Sequence, residues 1–176
     1  MLEIKNGTEL QDTELSQMRG SILREFGVEF DGNDLNKKTF FLLKDVENIL
    51  AMGGLFEVKP VLFEDQRLKI FGVIEVVSNK KGEGYGKEVM TAIRNWLIEN
   101  SEIGLGYCMP KNAGFYEKCG FAINTDCGKR FVFKNNGLDI RNQDGQLNFY
   151  QDTENGTLEK ILSKNGDIEI PTDKLW

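Results

Sequence analysis

Residues 70–87 read IFGVIEVVSNKKGEGYGK, and this stretch decides the fold class. Residues 70–77 form a β-branched run that is long enough for a buried strand and too short for a typical helix. Three glycines, Gly82, Gly84 and Gly86, follow at every second position between basic side chains. Beyond them apolar residues recur with helical spacing as far as Asn100, at Val89, Met90, Ile93, Trp96 and Leu97. The order of strand, glycine loop and helix predicts an α/β domain.

The segments on either side supply further helices and strands. A helix is predicted at residues 12–26, where Asp12 or Thr13 would cap the first turn and Gly27 would end it. A second, short helix is predicted at 112–119. Strands are predicted at 39–43, 55–63, 103–109 and 121–123, and Pro60 places the second of these at an edge or a bulge.

After Arg130 short apolar segments alternate with turn signals. The pairs Asn136-Gly137, Asp144-Gly145, Asn155-Gly156 and Asn165-Gly166 are typical of hairpin corners. Strands are expected at 131–133, 147–150 and 167–170. Because 176 residues suit one domain, we predict a single domain over residues 1–176, with 131–176 as its C-terminal β-hairpin extension.

Charge and composition exclude several classes of function. A formal net charge of -6 leaves no surplus of Lys and Arg to displace counterions, so neither nucleic acid nor an anionic membrane is an expected partner. The chain has no histidine, which removes catalytic triads and HExxH metal sites, and its three cysteines form no CxxC pair. We therefore expect no metal. Without a signal peptide or an apolar run of about 18 residues, we predict a soluble, cytoplasmic protein.

The glycine loop has a structural and a functional interpretation. Glycines at a strand-to-helix turn can serve only to reach positive φ. A glycine loop that opens a helix also presents free backbone N–H groups and the positive end of the helix dipole, which together bind anions. A P-loop requires a different glycine spacing and a Ser or Thr where this chain has Glu88. A Rossmann fingerprint requires two residues, not one, between Gly84 and Gly86.

The stretch VVSNKKGEGYGKEVM resembles the acetyl-CoA loop of the GNAT N-acetyltransferases. Lys81, Gly84 and Gly86 fill the signature positions of that loop, with Lys81 in place of Arg or Gln. A second segment, AGFYEKCGF at 113–121, resembles the other motif of this family. The resemblance implies a mixed, mostly antiparallel central sheet flanked by helices, and acetyl-CoA as cosubstrate. It assigns CoA binding to Val76, Val77, Lys81, Gly82, Gly84, Tyr85, Gly86 and Lys87.

The same resemblance assigns catalytic roles. It makes Tyr116 the general acid that protonates the departing thiolate, although a half-buried tyrosine is also a common structural element. Family members often carry a carboxylate on the strand before the glycine loop, and Glu75 is the one carboxylate there. A base acting through water, or a loop carboxylate, remains an alternative to Glu75. Backbone amides at the end of that strand would polarise the thioester carbonyl.

The acceptor side is indicated by two regions. The acidic segment REFGVEFDGNDL at 24–35 contains Glu29, Asp31 and Asp34, which we expect to hold a cation; a solvated acidic loop is the alternative. The same segment and the terminal DKLW resemble the branch with aminoglycoside 2'-N-acetyltransferases and nodulation acyltransferases, which makes Trp176 a candidate. We therefore predict acetyl transfer from acetyl-CoA to a primary amine of a small, cationic acceptor, in a monomer or a homodimer. Transfer of a longer acyl group, or CoA binding without turnover, is the alternative.

Overall fold

The computed structural model describes residues 1–58, 60–64, 66–125, 130–135, 138–141 and 147–170, with the backbone alone at 133–135 and 140. The helices in these ranges are α1 (Asp12–Phe26), α2 (Tyr85–Glu99), α3 (Ala113–Lys118) and α4 (Thr157–Leu162). The strands are β1 (Leu2–Asn6), β2 (Lys38–Asp45), β3 (Asn48–Glu57), β4 (Val61–Phe63), β5 (Gln66–Leu68), β6 (Ile70–Ser78), β7 (Ile103–Cys108), β8 (Ala122–Asn124), β9 (Phe131–Asn135), β10 (Leu138–Arg141), β11 (Leu147–Gln151) and β12 (Ile168–Ile170). None of these helices is long and apolar enough to cross a lipid bilayer.

The chain divides into two compact units. The first comprises Met1–Phe56 and Val73–Ile93, and the second comprises Glu57–Gly72 and Arg94–Trp176. Strand β6 and helix α2 therefore each contribute residues to both units. The number of independently folding domains, and the role of 131–176 as an extension of one domain, stay predictions.

In the first unit, antiparallel strands carry helix α1. The strand order runs from β1 through β2 to β3 and then β6. Pairs such as Leu2 with Leu43 and Phe41 with Gly53 set the antiparallel register. Met18 and Ile22 of α1 are fully buried or nearly so, and Phe40 and Met52 fill the same core. This apolar packing fixes α1 relative to the strands that lead into the glycine loop.

An ion cluster anchors the start of α1 in the same unit. The Glu14 carboxylate, whose side chain is 3% exposed, accepts from Lys5 at 2.6 Å and from Lys44 at 2.9 Å. Burial opposes ionisation of Glu14, but hydrogen bonds from the Gln11 amide and from both lysines outweigh it and lower its pKa to about 2. Gln11, the residue immediately before the helix, occupies the N-cap position. The predicted caps Asp12 and Thr13 are therefore wrong.

In the second unit, two sheets share the remaining strands. The beginning of β6 pairs with β7 in parallel, and β7, β11 and β8 continue in antiparallel order. The other sheet has the order β10, β9, β12, β4, β5. The buried side chains among its described residues are those of Val61, Phe63, Leu68, Phe131, Val132, Ile168 and Ile170. The mixed, mostly antiparallel α/β architecture predicted from the sequence is confirmed.

Three predicted segments are wrong. The strand expected at 55–63 is two strands, β3 and β4, with Pro60 between them, because proline has no N–H to continue a ladder. Gly156 does not turn a hairpin; it lies at the start of α4, where the Asp152 carboxylate accepts from the amides of Leu158 and Glu159 at 3.0 and 2.8 Å. Gly166 lies between α4 and β12, so it does not form a turn between two strands. The corners expected at 136–137 and 144–145 lie outside the described residues.

Candidate functional site

The candidate functional residues form two groups, one in each unit. The first group contains the glycine loop, Glu75 and the acidic segment. The second contains Tyr116 and the aromatic residues around it.

The glycine loop connects β6 to α2 and is open to solvent. Gly82 and Gly84 have φ of 84° and 83°, in the left-handed region that L side chains rarely adopt. A Cβ added at either glycine would meet no atom within 4 Å, so this backbone faces open space. The amide of Glu88 donates to the Gly84 carbonyl at 3.1 Å and closes the first turn of α2. The preceding amides of the turn are the ones that a helix leaves without an internal partner.

Lys81 at the head of this loop is paired within the protein. Its ammonium donates to both carboxylate oxygens of Glu25, at 2.9 and 2.8 Å. The two side chains remain solvent-accessible, at 66% exposure for Lys81 and 36% for Glu25. Tyr85 and Gly86 are half-buried at the start of α2, and Lys87 is exposed beside them. Sequence reasoning missed Glu25, because its partner lies 56 positions away.

Val76 and Val77 lie near the end of β6, just before the loop. Val77 is buried, and Val76 lies beside Gly53 of β3, together with Val89 and Ile93 of α2. A Cβ at Gly53 would come within 3.0 Å of the Ile93 side chain, so this glycine lets α2 pack closely on the strand. Packing of this kind fixes the backbone of Val76 and Val77, for which the family resemblance implies cofactor binding.

Glu75 is the most unusual residue of β6. Its φ is 54°, a left-handed conformation in the middle of a strand, so the pleated ladder cannot continue regularly through it. The Oε2 atom is buried and makes no hydrogen bond to any part of the chain that the structure describes. Burial raises the pKa of this carboxyl to about 7; Lys38 lowers the pKa and Asp31 raises it. A carboxyl with this pKa exchanges protons near neutral pH.

A buried lysine connects Glu75 to the acidic segment. The Lys38 residue is 6% exposed, and its ammonium donates to the Asp31 carbonyl at 2.6 Å. The same ammonium lies 5.5 Å from the centre of the Phe30 ring. Lys38 thus holds the segment before β2 against the strand and also acts electrostatically on Glu75. Nothing in the local sequence distinguishes Lys38 from its neighbour Lys37, so sequence reasoning did not find it.

The acidic side chains predicted for acceptor binding differ in their surroundings. Asp31 accepts hydrogen bonds from the amide and side chain of Asn33, at 2.9 and 2.6 Å. Asp34, with φ of 53°, pairs with Lys37 at 3.0 Å, and Glu29 is exposed. The structure thus brings Asp31 into electrostatic range of Glu75, while Glu29 and Asp34 lie at the surface of the first unit. Trp176 lies outside the described residues.

Tyr116 belongs to the short helix α3 of the second unit. It is 9% exposed, and its ring stacks on Phe149 of β11 with centroids 3.7 Å apart and an interplanar angle of 10°. Phe115 meets it edge-on at 5.1 Å. Gly120 ends the helix with φ of 88°, and its carbonyl accepts from Arg94 Nε at 2.9 Å. These contacts fix both the ring and the helix that carries it.

The surroundings of Tyr116 keep its hydroxyl protonated. Burial raises the pKa of the phenol above its usual value, and the thiols of Cys108 and Cys119 add to this shift. Cys108 is itself buried, which raises its pKa to about 11 and leaves the thiol neutral. A neutral phenol at neutral pH is a proton donor rather than a base.

A family model matches most of this region. Residues 8–121, more than half of the chain, match the model of the acetyltransferase (GNAT) family. The chain therefore belongs to the GNAT family of acyltransferases, as the two sequence motifs predicted. A curated relative, the glucosamine 6-phosphate N-acetyltransferase of Candida albicans, is 32% identical over 75 residues, which are 42% of this chain and 50% of the relative. The chain spans about half the length of the curated relative that it matches.

Solved structures resemble the fold over most of the chain. The GNAT family N-acetyltransferase YhbS of Escherichia coli, in complex with CoA, has a TM-score of 0.63 at 11% identity, over 97% of this chain and 89% of that one. An acyl-CoA N-acyltransferase from Pseudomonas aeruginosa has a TM-score of 0.62 at 15% identity, over 86% and 98% of the two chains. At such identities the likeness shows the fold alone.

Proposed function

We propose that this protein transfers an acetyl group from acetyl-CoA to a primary amine of a small, cationic acceptor, by direct attack within a ternary complex. The observation that carries the proposal is the carboxylate of Glu75, whose Oε2 atom is buried without a hydrogen-bond partner among the described residues and whose pKa is raised to about 7. This carboxylate lies on the strand that leads into the glycine loop of a GNAT family member. A buried group with a perturbed pKa is a candidate for proton transfer.

The glycine loop fits the pyrophosphate of acetyl-CoA. Its exposed backbone at Gly82 and Gly84 and the first amides of α2 offer donors to phosphate oxygens, and Lys81 offers charge. The residues proposed to hold the cosubstrate are Val76, Val77, Lys81, Gly82, Gly84, Tyr85, Gly86 and Lys87. Acetyl-CoA would supply the activated acetyl group as a thioester, with the thiolate as leaving group.

Glu75 is proposed as the general base. An acceptor amine is protonated in water near neutral pH and must lose a proton before it can attack. A carboxylate with a pKa of about 7 is deprotonated in a large share of the molecules at neutral pH, and it holds an abstracted proton more firmly than an ordinary carboxylate. The alternative loop carboxylate, Asp31, already accepts two hydrogen bonds from Asn33, which favours Glu75.

The irregular backbone at Glu75 supports a role for the end of β6 in polarising the thioester carbonyl. A residue at φ of 54° departs from the extended conformation of a strand, and the proposal is that amides beside it donate to the thioester carbonyl. Amides held rigidly toward a developing negative charge stabilise it without reorganisation. The packing of Val76 and Val77 against β3 and α2 supplies that rigidity.

Tyr116 is proposed as the general acid for the departing thiolate. Its phenol stays protonated because it is buried, and its ring is held by Phe149 and Phe115. The thiol of free CoA has a pKa in the range of ordinary thiols, so the proton transfer from a phenol must occur as the charge develops. Cys108 and Cys119 are buried beside the ring and have no histidine to activate them.

The acceptor is proposed to bind at Glu29, Asp31 and Asp34, with Trp176 as a further candidate. Three carboxylates within six residues favour an acceptor with more than one positive charge, such as a polyamine or an aminoglycoside. The Candida albicans relative favours a second candidate, an amino sugar phosphate. We also propose a cytoplasmic location, and both a monomer and a homodimer are compatible with this function.

The test is a panel of acceptors incubated with acetyl-CoA and the protein. It contains polyamines, aminoglycosides, glucosamine 6-phosphate and unphosphorylated glucosamine, and products are detected by mass spectrometry. A mass increase of one acetyl group on a polycation supports the proposal, whereas acetylation of the sugar phosphate alone supports the second candidate. A longer acyl-CoA in place of acetyl-CoA measures the donor preference. Binding of CoA with no product from any acceptor would favour a binding module instead.

A further inference from the structure

The last turn of α1 contacts the glycine loop through two consecutive side chains. Arg24 Nη2 donates to the side-chain oxygen of Asn79 at 3.3 Å. Next to it, Glu25 accepts two hydrogen bonds from the Lys81 ammonium, at 2.9 and 2.8 Å. Both contacts join residues more than fifty positions apart. The end of α1 is therefore part of the immediate surroundings of the glycine loop.

The Glu25 carboxylate holds the same ammonium that a phosphate would use. A lysine ammonium has three N–H donors, and the two short contacts here go to one carboxylate. A phosphate oxygen that approached Lys81 would meet Glu25, an anion of the same sign, beside the same cation. The two anions repel each other, so their binding to Lys81 is mutually unfavourable.

We propose that Glu25 competes with the pyrophosphate of acetyl-CoA for Lys81, so that the Glu25–Lys81 ion pair lowers the affinity for the cosubstrate. The inference rests on the proposed function, in which Lys81 binds acetyl-CoA. The exposure of both side chains makes exchange of partners feasible, because an exposed ion pair is worth little and breaks readily. Lys81 turns from Glu25 to the pyrophosphate when the cosubstrate binds.

A role of Glu25 in positioning Lys81 predicts the opposite change in CoA affinity when Glu25 is removed. If the carboxylate held Lys81 in the orientation that a phosphate requires, its removal would weaken CoA binding. If Glu25 competes, its removal tightens binding. The sign of the change on Glu25→Gln therefore separates the two roles.

The experiment is a double-mutant cycle on CoA affinity, measured by isothermal titration calorimetry at low ionic strength, where exposed charges act most strongly. The proteins are the wild type, Glu25→Gln, Lys81→Ala and the double variant. We expect Glu25→Gln to lower the dissociation constant about two- to fivefold, which corresponds to the worth of an exposed ion pair. The same substitution should have a clearly smaller effect when combined with Lys81→Ala, because no lysine is then released.

Glu88→Gln is the matched control. Glu88 is an exposed acid on the first turn of α2, next to the loop, and removing it takes away one negative charge without an ion pair to Lys81. Its effect should be equal with and without Lys81. An equal effect of Glu25→Gln in both backgrounds, or weaker binding on Glu25→Gln, overturns the competition. Failure of the wild type to bind CoA at all overturns the proposed function and this inference together.

Discussion

The ring of Tyr116 lies flat on the ring of Phe149, with centroids 3.7 Å apart and an angle of 10° between the planes. This stack contacts the face of the ring, and the hydroxyl is a substituent at the ring edge. The position of the ring and the chemistry of its hydroxyl can therefore be separated by substitution. A change that removes only the oxygen keeps the packing.

Tyr116→Phe should reduce acetyl transfer by about a hundredfold or more, because general acid catalysis is lost while the stacked ring remains. The melting temperature should stay close to that of the wild type. Steady-state kinetics and thermal unfolding measure the two quantities. Tyr116→Ala is the control for packing and should lower the free energy of unfolding by about 3 kcal/mol. An unchanged transfer rate in Tyr116→Phe would remove Tyr116 from the mechanism.

The pH dependence of kcat/KM should report the carboxyl of Glu75. A base acts in its deprotonated form, so activity should rise with pH and level off above the pKa of about 7. Glu75→Gln should lower kcat/KM strongly and remove this rise with pH. A rise caused by deprotonation of the acceptor amine should persist. A variant that retains the inflection near pH 7 would show that another group titrates there.

The free energy of unfolding should fall over the pH range in which the activity rises, because both depend on the carboxyl of Glu75. Its pKa is about 7 in the folded protein and near 4.5 when unfolded, so the folded state binds this proton more tightly. The free energy of unfolding should therefore fall as the pH rises from 4.5 through 7. Glu75→Gln lacks this penalty and should be more stable than the wild type above pH 7, by up to about 3 kcal/mol. Chemical denaturation at pH 5 and pH 8 compares the two proteins; a difference independent of pH would contradict a Glu75 pKa that is raised in the folded protein.

The glycine loop should depend more on its backbone than on Lys81. Gly84→Val forces a β-branched residue to φ of 83° and should abolish measurable CoA binding, whereas Lys81→Ala should weaken it only several-fold. Gly156→Val is the matched control, because Gly156 has φ of 62° and an added Cβ there would meet only the Glu159 carboxylate, at 3.7 Å. Calorimetric titration with CoA should show binding retained in the control. A larger loss from Lys81→Ala than from Gly84→Val would reverse the roles of charge and backbone.

The parts of the fold that the sequence predicts well have local signals. Strand β6, the glycine loop and α2 follow from hydrophobic periodicity and glycine spacing within about thirty residues, and the match to α3 follows from a short motif. The start of α4 was missed because Asn155-Gly156 is also a turn signal; the Asp152 carboxylate that caps the helix decides between the two. Pro60 marked the interruption after β3, but not its extent.

The features of the candidate site that the sequence did not predict depend on pairs of residues far apart in the sequence. Glu75 could be found as a carboxylate in an apolar strand, but its raised pKa depends on burial and on Asp31, 44 positions earlier, while Lys38 lowers it. The Glu25–Lys81 pair joins the end of α1 to the glycine loop, 56 positions later. Such contacts are set by packing of the whole unit, and a single sequence contains no periodicity that reports them.

We expect the chain to bind acetyl-CoA as the donor of an acetyl group. Isothermal titration of acetyl-CoA into the wild-type protein tests it most directly. We predict saturable binding with one site per chain and a dissociation constant of roughly 1–100 μM, in the range usual for enzyme substrates. The absence of binding up to millimolar acetyl-CoA would contradict the claim.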